Sequence, residues 1–315
     1  MTELLGRPSS SDTGHSRAEP AGKPASLWGD AWRDLRRNPV FIISSLVILV
    51  MTLMAVFPRL FTNADPHHCL LSRSKQPPPS WNPFAEPNVF TEGHPFGFDV
   101  QGCDYYAQVV YGARASIVIG LTVTVCAVVV AIVLGSLAGY FGGFVDTLIA
   151  RVTDVFFGLP LILGAMVILI AFPSRSLWTV SLVLIILGWC VMTRLMRSSV
   201  IAAKNMDYVS AARALGASDV RIMRRHILPN AVAPMLVYAT LHIGTVVTAE
   251  ATLTYLGVGL QYPDVSWGLQ LNVAQDYFID YPHLLLFPSL FLSLTVLSFI
   301  LLGDAIRDAL DPKLR

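Results

Sequence analysis

Six long apolar stretches constrain this chain more than any other feature of its sequence. Only 14% of its residues are charged, whereas a soluble domain carries about a quarter. A helix of about 20 apolar residues crosses the hydrocarbon core of a bilayer, and six such stretches in one chain argue against buried helices of a soluble protein. We therefore predict an all-α membrane protein with six transmembrane helices, at residues 40–57, 116–139, 153–172, 177–193, 233–256 and 284–303.

The positions of the basic residues predict the orientation of these spans. With the N-terminus inside, the cytoplasmic segments hold 17 of the 22 Lys and Arg residues, whereas the opposite-side loop 257–283 holds neither residue type. Basic residues concentrate in cytoplasmic loops, so we expect both termini in the cytoplasm. The net charge of +1 gives no overall field that would favour nucleic acid as a partner.

The segments between the spans predict the organisation of the chain. Residues 1–26 are rich in Ser, Pro, Gly and charged residues and lack the apolar core of a signal peptide. A segment of this composition cannot bury enough surface to fold, so we expect a disordered cytoplasmic tail. The remaining units are an amphipathic lead-in helix at 27–39, the first span at 40–57, an extracytoplasmic loop at 58–115, a five-helix core at 116–303 with a cytoplasmic loop at 194–232, and a cytoplasmic tail at 304–315.

Two of the four cysteines, Cys69 and Cys103, lie in the long loop between the first two spans. An extracytoplasmic compartment permits a disulfide between them. Their separation of 34 residues fixes no geometry, so two free thiols remain the alternative. Cys126 and Cys190 lie inside spans and are interpreted as small buried apolar residues.

The polar loop between the fourth and fifth spans contains a predicted pair of short helices. The first covers residues 207–215 and ends at Gly216, where a helix C-terminal cap requires a positive φ. Ser218 can cap the second helix, whose acidic start and basic end complement the helix dipole. Pro229 is expected to close it.

Four small residues of this helix pair leave two interpretations open. Small side chains let a helix fit closely into a cleft on a partner protein, but alanine is also simply a good helix former. The four are Ala211, Ala212, Ala214 and Ala217.

The same loop resembles the coupling motif of ABC importer permeases, Glu-Ala-Ala-x3-Gly-x9-Ile-x-Leu-Pro. The motif is matched by residues 210–216 and by Ile227, Leu228 and the neighbouring Pro229. Ser210 stands where the motif usually has Glu, which removes a charge that could pair with an Arg of an ATPase. The resemblance implies an ATPase-coupling surface formed by Tyr208, Ser210, Ala211, Ala212, Arg213, Gly216, Ala217, Arg221, His226, Pro229 and Asn230.

The resemblance extends over residues 27–315, where the sequence is similar to that of the C-type permeases of the dipeptide/oligopeptide branch. The outer loop departs from the usual pattern Gly-Thr-Asp…Gly-Arg-Asp. In this chain Phe98 replaces the Thr and Cys103 replaces the Arg. The matching segments are residues 32–39, 111–116, 249–251, 256–259, 267–268 and 303–315.

Membership of this branch implies a type I ABC importer permease architecture in a bacterial inner membrane. The chain would form half of a pathway for di- or oligopeptides, beside a homologous B-type permease, one or two cytoplasmic ATPases, an extracytoplasmic binding protein and membrane lipid. Related permeases carry nickel chelates, glutathione or other small solutes, so those substrates stay open.

The chain contains no motif for chemistry of its own. It lacks the G-x-x-x-x-G-K-[ST] phosphate loop, so we expect ATP and Mg to be bound by partner subunits. It also lacks zinc-protease, paired C-x-x-C and G-x-S-x-G patterns. We therefore predict no catalytic residue, no metal site and no cofactor within this chain.

Glu250 and His242 are the titratable residues of interest within the fifth span. An ionisable group at membrane depth is a functional candidate, so both are candidate residues of a translocation pathway. For Glu250 a structural or pathway role is favoured over a proton site. An ion-coupled secondary transporter would require further intramembrane charges and repeats with broken helices, and a scaffold without transport would leave the coupling motif unexplained.

Overall fold

The computed structural model of the protein describes residues 27–79 and 93–310. The predicted disordered tail, residues 1–26, lies outside the described residues. The described part of the chain is helical, with two isolated β-bridges in the outer loop and no named strand. Its α-helices are α1 (Leu27–Leu35), α2 (Pro39–Val56), α3 (Tyr105–Phe141), α4 (Gly143–Phe157), α5 (Leu161–Ile170), α6 (Leu177–Gly188), α7 (Cys190–Lys204), α8 (Asp207–Ala214), α9 (Asp219–Ile222), α10 (Leu228–Tyr255), α11 (Trp267–Ala274) and α12 (His283–Leu310).

Four continuous helical segments are long and apolar enough to cross a membrane, and two bent helix pairs bring the number to six. The continuous segments are α2, α3, α12 and the segment Asp219–Tyr255, which contains α9 and α10. The bent pairs are α4 with α5, at 80°, and α6 with α7, at 43°. These elements correspond to the six predicted spans.

Several helices extend beyond the predicted apolar stretches. Helix α3 starts at Tyr105 instead of residue 116, because the Asp104 side chain accepts the amide of Ala107 and caps the helix. At the other side of the bundle, α7 continues to Lys204 and α12 continues to Leu310. The loop between the first two spans is therefore shorter than predicted, and the non-spanning segment before the fifth span begins near residue 205.

Two prolines, Pro160 and Pro288, lie within the predicted third and sixth spans. A proline inside a helix is expected to kink it, but the two behave differently. Pro160 follows the break between α4 and α5, where the missing amide of proline interrupts the helix. Pro288 lies inside α12, and the helix is continuous through it. The kink predicted at Pro160 is thus confirmed, as a bend of 80° between α4 and α5.

Helices α3 and α7 approach each other at backbone distance. A Cβ atom on Gly135 would lie 2.7 Å from the Cβ of Met196 and 2.8 Å from the carbonyl oxygen of Thr193. A Cβ on Gly139 would lie 2.8 Å from the carbonyl oxygen of Arg197. Small residues permit this close approach in membrane helix pairs, where tight packing replaces the hydrophobic effect.

The two ends of the bundle carry different structures. One end carries the segment from residue 205 to residue 227, and we call it the coupling end. The opposite end carries the loop after α2 together with α11, and we call it the cap end. There the buried indole of Trp267 donates a hydrogen bond of 2.9 Å to the carbonyl oxygen of Val109, which fixes α11 on the start of α3.

Candidate coupling site

The loop at the coupling end is a pair of short helices joined by a sharp turn. Helix α8 ends at Ala214, and Gly216 follows with a φ of 80°, as the C-cap pattern predicts. A Cβ on Gly216 would have open space around it, with no atom within 4 Å. The glycine is therefore required by backbone conformation and not by crowding inside this chain.

One face of the helix pair is packed on the bundle. Val209 and Ala212 of α8 and Ile222 of α9 are buried in one apolar cluster with Ile227 and with residues of α3, α7 and α10. Residues three positions apart on a helix share a face, which explains why Val209 and Ala212 point to the bundle together. Ala217 is half-buried against the same cluster.

The opposite face of the helix pair is exposed and carries two large apolar side chains beside the turn. Leu215 is 88% exposed and Val220 is 66% exposed. The sequence prediction did not include either residue as a site residue. The signal that could have indicated them is an apolar side chain next to the cap glycine in an otherwise polar loop.

The other predicted coupling residues divide between the two faces. Among the four alanines, Ala212 and Ala217 contact the bundle, whereas Ala211 and Ala214 are exposed. The small residues are thus partly used for packing within the subunit and partly available to a partner. Exposed residues of the predicted set also include Tyr208, Ser210, Arg213, Gly216, Arg221, Pro229 and Asn230.

A polar contact ties α8 to the start of α10. The Asn230 amide nitrogen donates to the hydroxyl oxygen of Tyr208 at 3.1 Å and to the carbonyl oxygen of His226 at 3.0 Å. His226 is half-buried in the intervening π-helical turn. Three of the predicted coupling residues therefore form one hydrogen-bonded group.

Two details of the predicted second helix are wrong. Ser218 occupies the N-cap position of α9, but its side chain makes no capping hydrogen bond. Pro229 does not close the helix, because α9 continues through the π-helical turn Met223–Ile227 into α10. Proline is tolerated in the first turn of a helix, and the wider π-turn before it accommodates the missing amide hydrogen.

The carboxyl group of Glu250 is fully buried between α3 and α10. It accepts hydrogen bonds from the hydroxyls of Ser116, at 2.9 Å, and Thr254, at 3.0 Å. Thr254 in turn accepts the amide of Leu260 at 3.2 Å. Ser266 is a further hydrogen-bonding neighbour of the carboxyl. These contacts join two spans and the following loop, and they leave none of the Glu250 side chain on an open surface.

His242 is also buried, at the bend between α6 and α7. Its Nδ1 atom lies 3.0 Å from the hydroxyl oxygen of Thr124 on α3. The ring also interacts with the backbone of Gly188, the last residue of α6. The side chain therefore connects three helices, α3, α6 and α10, at the bend between α6 and α7.

The cap end contains a disulfide between Cys69 and Cys103. The carboxylate of Asp99 accepts the amide of Cys103 at 2.7 Å and the side-chain amide of Gln108 at 2.8 Å. Burial nevertheless raises the pKa of Asp99 above its usual range. The cysteine that departs from the family pattern is thus used to join two segments of the outer loop.

The second departure from the pattern, Phe98, takes part in a small aromatic and charged group. Its buried ring contacts the His94 ring at 4.7 Å and the guanidinium of Arg73 at 5.2 Å. The Nδ1 atom of His94 lies 2.6 Å from the carboxylate of Asp104, which caps α3. Within the described ranges, no group of three His, Cys, Asp or Glu side chains could hold a metal ion.

Comparison with known proteins places these features in one class. The family model for "Binding-protein-dependent transport system inner membrane component" matches residues 131–315. The model for "N-terminal TM domain of oligopeptide transport permease C" matches residues 26–78. Together the two models include the coupling segment, the lead-in helix and the first span.

Curated relatives match nearly the whole chain. The oligopeptide transport system permease protein OppC of Bacillus subtilis is 34% identical over 293 residues, which covers 93% of this chain and 92% of the relative. The dipeptide transport system permease protein DppC of Alkalihalophilus pseudofirmus is 36% identical, with 92% and 91% covered. The glutathione transport system permease protein GsiD of Escherichia coli is 34% identical, with 95% of each chain covered.

Solved structures have the same fold at low sequence identity. A chain of the MetNI methionine ABC transporter, in an inward-facing conformation, matches with a TM-score of 0.54 at 18% identity, covering 65% of this chain and 96% of that chain. A chain of an amino acid ABC transporter matches with a TM-score of 0.50 at 15% identity, covering 64% and 92%.

The helical bundle, the bent spans and the exposed helix pair define a multi-pass membrane subunit of an ABC transporter with the type I importer fold. The chain belongs to the family of binding-protein-dependent transport system inner membrane components, in the branch of peptide transport permeases. Subunits of this family work in complexes with an ATPase and a second permease.

Proposed function

We propose that this chain forms half of the membrane pathway of an importer for di- or oligopeptides. The relatives that support this substrate class are permeases named for oligopeptide and dipeptide transport, at 34% and 36% identity over more than nine tenths of the chain. Glutathione is the second candidate, because permeases named for glutathione transport match at similar identity. Glutathione is itself a small peptide, so both candidates require a pathway that accepts peptide groups.

The helix pair at the coupling end couples this subunit to ATP hydrolysis. The exposed side of the helix pair, with Leu215 at its turn, docks into a groove on a separate cytoplasmic ATPase. The observation that carries this proposal is that Leu215 is 88% exposed, although the other face of the helix pair is packed on the bundle. A large apolar side chain held in water by an ordered turn is typical of a surface that is covered by a partner.

Charge on the helix pair adds to the same proposal. Arg213 and Arg221 of the helix pair are exposed, as are Arg224 and Arg225 of the π-helical turn that follows it. Ser210 supplies no negative charge in place of the usual Glu. The ATPase groove that receives this surface is therefore expected to present acidic groups near its rim, because rim charges steer association between complementary surfaces.

The remaining assignments follow from the family and the charge distribution. The protein lies in the inner membrane of a bacterium, with both termini in the cytoplasm, beside a homologous B-type permease and one or two ATPases. An extracytoplasmic binding protein delivers the substrate at the cap end. The chain itself is not catalytic, and ATP and Mg are held by the ATPase subunits.

Uptake by a reconstituted complex tests the proposal. The chain is expressed with its neighbouring transport genes, purified through a tag on this subunit, and placed in proteoliposomes with the binding protein outside and ATP inside. Labelled tripeptides and labelled glutathione are compared. ATP-dependent uptake of tripeptide supports the peptide assignment, and uptake of glutathione alone selects the second candidate. Purification without any ATPase contradicts the coupling assignment.

A further inference from the structure

The last turn of α3 contains a side chain that is linked to three other helices at the coupling end. Tyr140 is 5% exposed, and its ring belongs to the apolar cluster that also contains Val200 and Ala203 of α7 and Ile222 of α9. Gly142 follows with a φ of 68° and ends the helix. Tyr140 is therefore the point where α3 meets the elements that support the helix pair.

Polar groups from the three helices converge on this one residue. The hydroxyl of Tyr140 donates to a carboxylate oxygen of Asp219 at 2.5 Å, and Arg213 of α8 is a further hydrogen-bonding neighbour of that hydroxyl. The ammonium group of Lys204, at the end of α7, donates to the Tyr140 carbonyl oxygen at 2.5 Å. Lys204 thus binds a carbonyl that the end of α3 leaves without a helical partner.

The contact with Asp219 differs in kind from the other anchors of the helix pair. Val209, Ala212 and Ile222 hold the pair by apolar packing, which is non-directional and permits small sliding movements. A hydroxyl-to-carboxylate hydrogen bond is short, directional and about twice as strong as a neutral one. A displacement of α9 is therefore transmitted to α3 through Tyr140 more directly than through the apolar contacts.

Helix α3 can carry such a displacement to the cap end. It has 37 residues, which corresponds to about 55 Å of helix. Its first residue follows Asp104, the partner of His94, and lies two positions after the disulfide at Cys103. Because Gly135 and Gly139 hold α3 at backbone distance from α7, these two helices are expected to move together.

We propose that Tyr140 is a positioning residue for transport, and that its hydrogen bond to Asp219 passes the movement of the helix pair into α3 and from there to the cap end. The inference rests on the proposed function, since it requires the helix pair to be moved by an ATPase. It adds a receiving element, α3, and a specific contact that the coupling motif does not include.

The Tyr140→Phe variant tests the link, because it keeps the ring in its apolar cluster and removes only the hydroxyl. In proteoliposomes we expect the complex to assemble and to hydrolyse ATP within about twofold of wild type, while the number of peptides imported per ATP falls at least fivefold. The Asp219→Ala variant should show the same loss, and combining the two changes should add little. Asp219→Asn keeps an oxygen acceptor and should retain most of the coupling.

Tyr111→Phe is the matched control on the same helix, since the Tyr111 hydroxyl makes no hydrogen bond within the part of the chain that the structure describes. It should leave the peptide-to-ATP ratio unchanged. An unchanged ratio in Tyr140→Phe would overturn the inference while the proposed function stands. Absence of ATP-driven uptake by the wild-type complex would instead contradict the proposed function, and the inference with it.

Movement of α3 provides a second measurement that does not depend on uptake. Leu121, exposed on α3 at mid-span, is replaced by cysteine in a Cys126→Ser, Cys190→Ser background. Its labelling rate by a maleimide should change when ATP is added to the otherwise wild-type complex, and the change should be at least fivefold smaller in Tyr140→Phe. An ATP-dependent change of equal size in Tyr140→Phe would contradict the proposed link.

Discussion

The side-chain amide of Asn230 donates a hydrogen bond to the hydroxyl of Tyr208 across 3.1 Å, and so joins the first coupling helix, α8, to the beginning of the span α10. The two residues are 22 positions apart, and both are exposed. The contact connects α8 directly to α10, beside the connection of α9 to α3 through Tyr140.

Loss of this contact should impair transport more than stability. Asn230→Ala removes hydrogen bonds to Tyr208 and His226 that are worth about 1 kcal/mol each at most when solvent can replace them. We expect a change of only a few degrees in the thermal unfolding midpoint in detergent, with uptake reduced about threefold. Asn205→Ala is the control, since Asn205 is exposed at the same end and its side chain makes no hydrogen bond to any residue that the structure describes. Equal uptake by both variants would contradict the role of the contact.

Gly216 should be sensitive to substitution for conformational reasons alone. A residue with a Cβ pays roughly 1–2 kcal/mol for the left-handed conformation that the φ of 80° requires, so Gly216→Ala should loosen the turn and weaken ATPase binding about fivefold or more. Binding is measured by titrating the purified ATPase against the detergent-solubilised subunit.

Gly93→Ala is a close control for that experiment. Gly93 has a φ of 72°, with open space around its Cβ position, and it lies in the outer loop. The same backbone cost applies there, but ATPase affinity should be unchanged. A similar loss of affinity in both variants would mean that the effect of Gly216→Ala is not local to the docking surface.

The contact between α3 and α7 should tolerate no added atom. Gly135→Ala places a methyl group 2.7 Å from the Met196 Cβ, and overpacking of this kind costs about 1–3 kcal/mol, more than the roughly 1 kcal/mol that alanine contributes to a helix. The thermal midpoint should fall. Gly164→Ala, whose Cβ would meet its nearest atom at 3.6 Å, should leave the midpoint unchanged or raise it.

Glu250 should act as a structural connector between α3 and α10. Ser116 and Thr254 donate to different oxygens of the Glu250 carboxyl group. Glu250→Gln keeps one oxygen acceptor for one of these hydroxyls, and its amide nitrogen can donate to the other hydroxyl oxygen, so we expect uptake near the wild-type rate. Glu250→Leu leaves both buried hydroxyls without an acceptor, at a cost of about 1–3 kcal/mol each, and should lower the unfolding midpoint and the yield of folded subunit.

Glu250 also allows a test of whether ATP alone or a proton gradient drives transport. ATP-driven uptake by wild type and by Glu250→Gln should be unaffected when an ionophore removes the proton gradient. Uptake that stops in Glu250→Gln although the protein is folded, or that stops in wild type with the ionophore, would indicate a proton site and an ion-coupled transporter.

The sequence allowed the central parts of the fold to be predicted, because they depend on local properties. The length of the apolar stretches predicted the spans, Pro160 predicted a bend in the third span, and Gly216 predicted a positive φ at the end of α8. The early start of α3 was missed, because residues 105–115 are of mixed polarity and become helical against Trp267 and other residues far along the chain.

The parts of the site that escaped prediction depend on contacts between distant residues. Tyr140 and Asp219 are 79 positions apart, and neither residue type is unusual at its position. The exposure of Leu215 was also not predictable, because an apolar residue after a short helix is as consistent with packing on the bundle as with docking to a partner. The identities of the four alanines gave no means of separating the two that face the bundle from the two that do not.

Site-specific photo-crosslinking from Leu215 tests the central claim most directly. A photoreactive amino acid is introduced at Leu215, or at Leu71 as the control, which is 80% exposed in the outer loop, and intact cells are irradiated. We predict that position 215 crosslinks to the ATPase subunit and that position 71 does not. Crosslinking from 215 to lipid or to other proteins, without any ATPase product, would contradict the assignment of the helix pair as the docking surface.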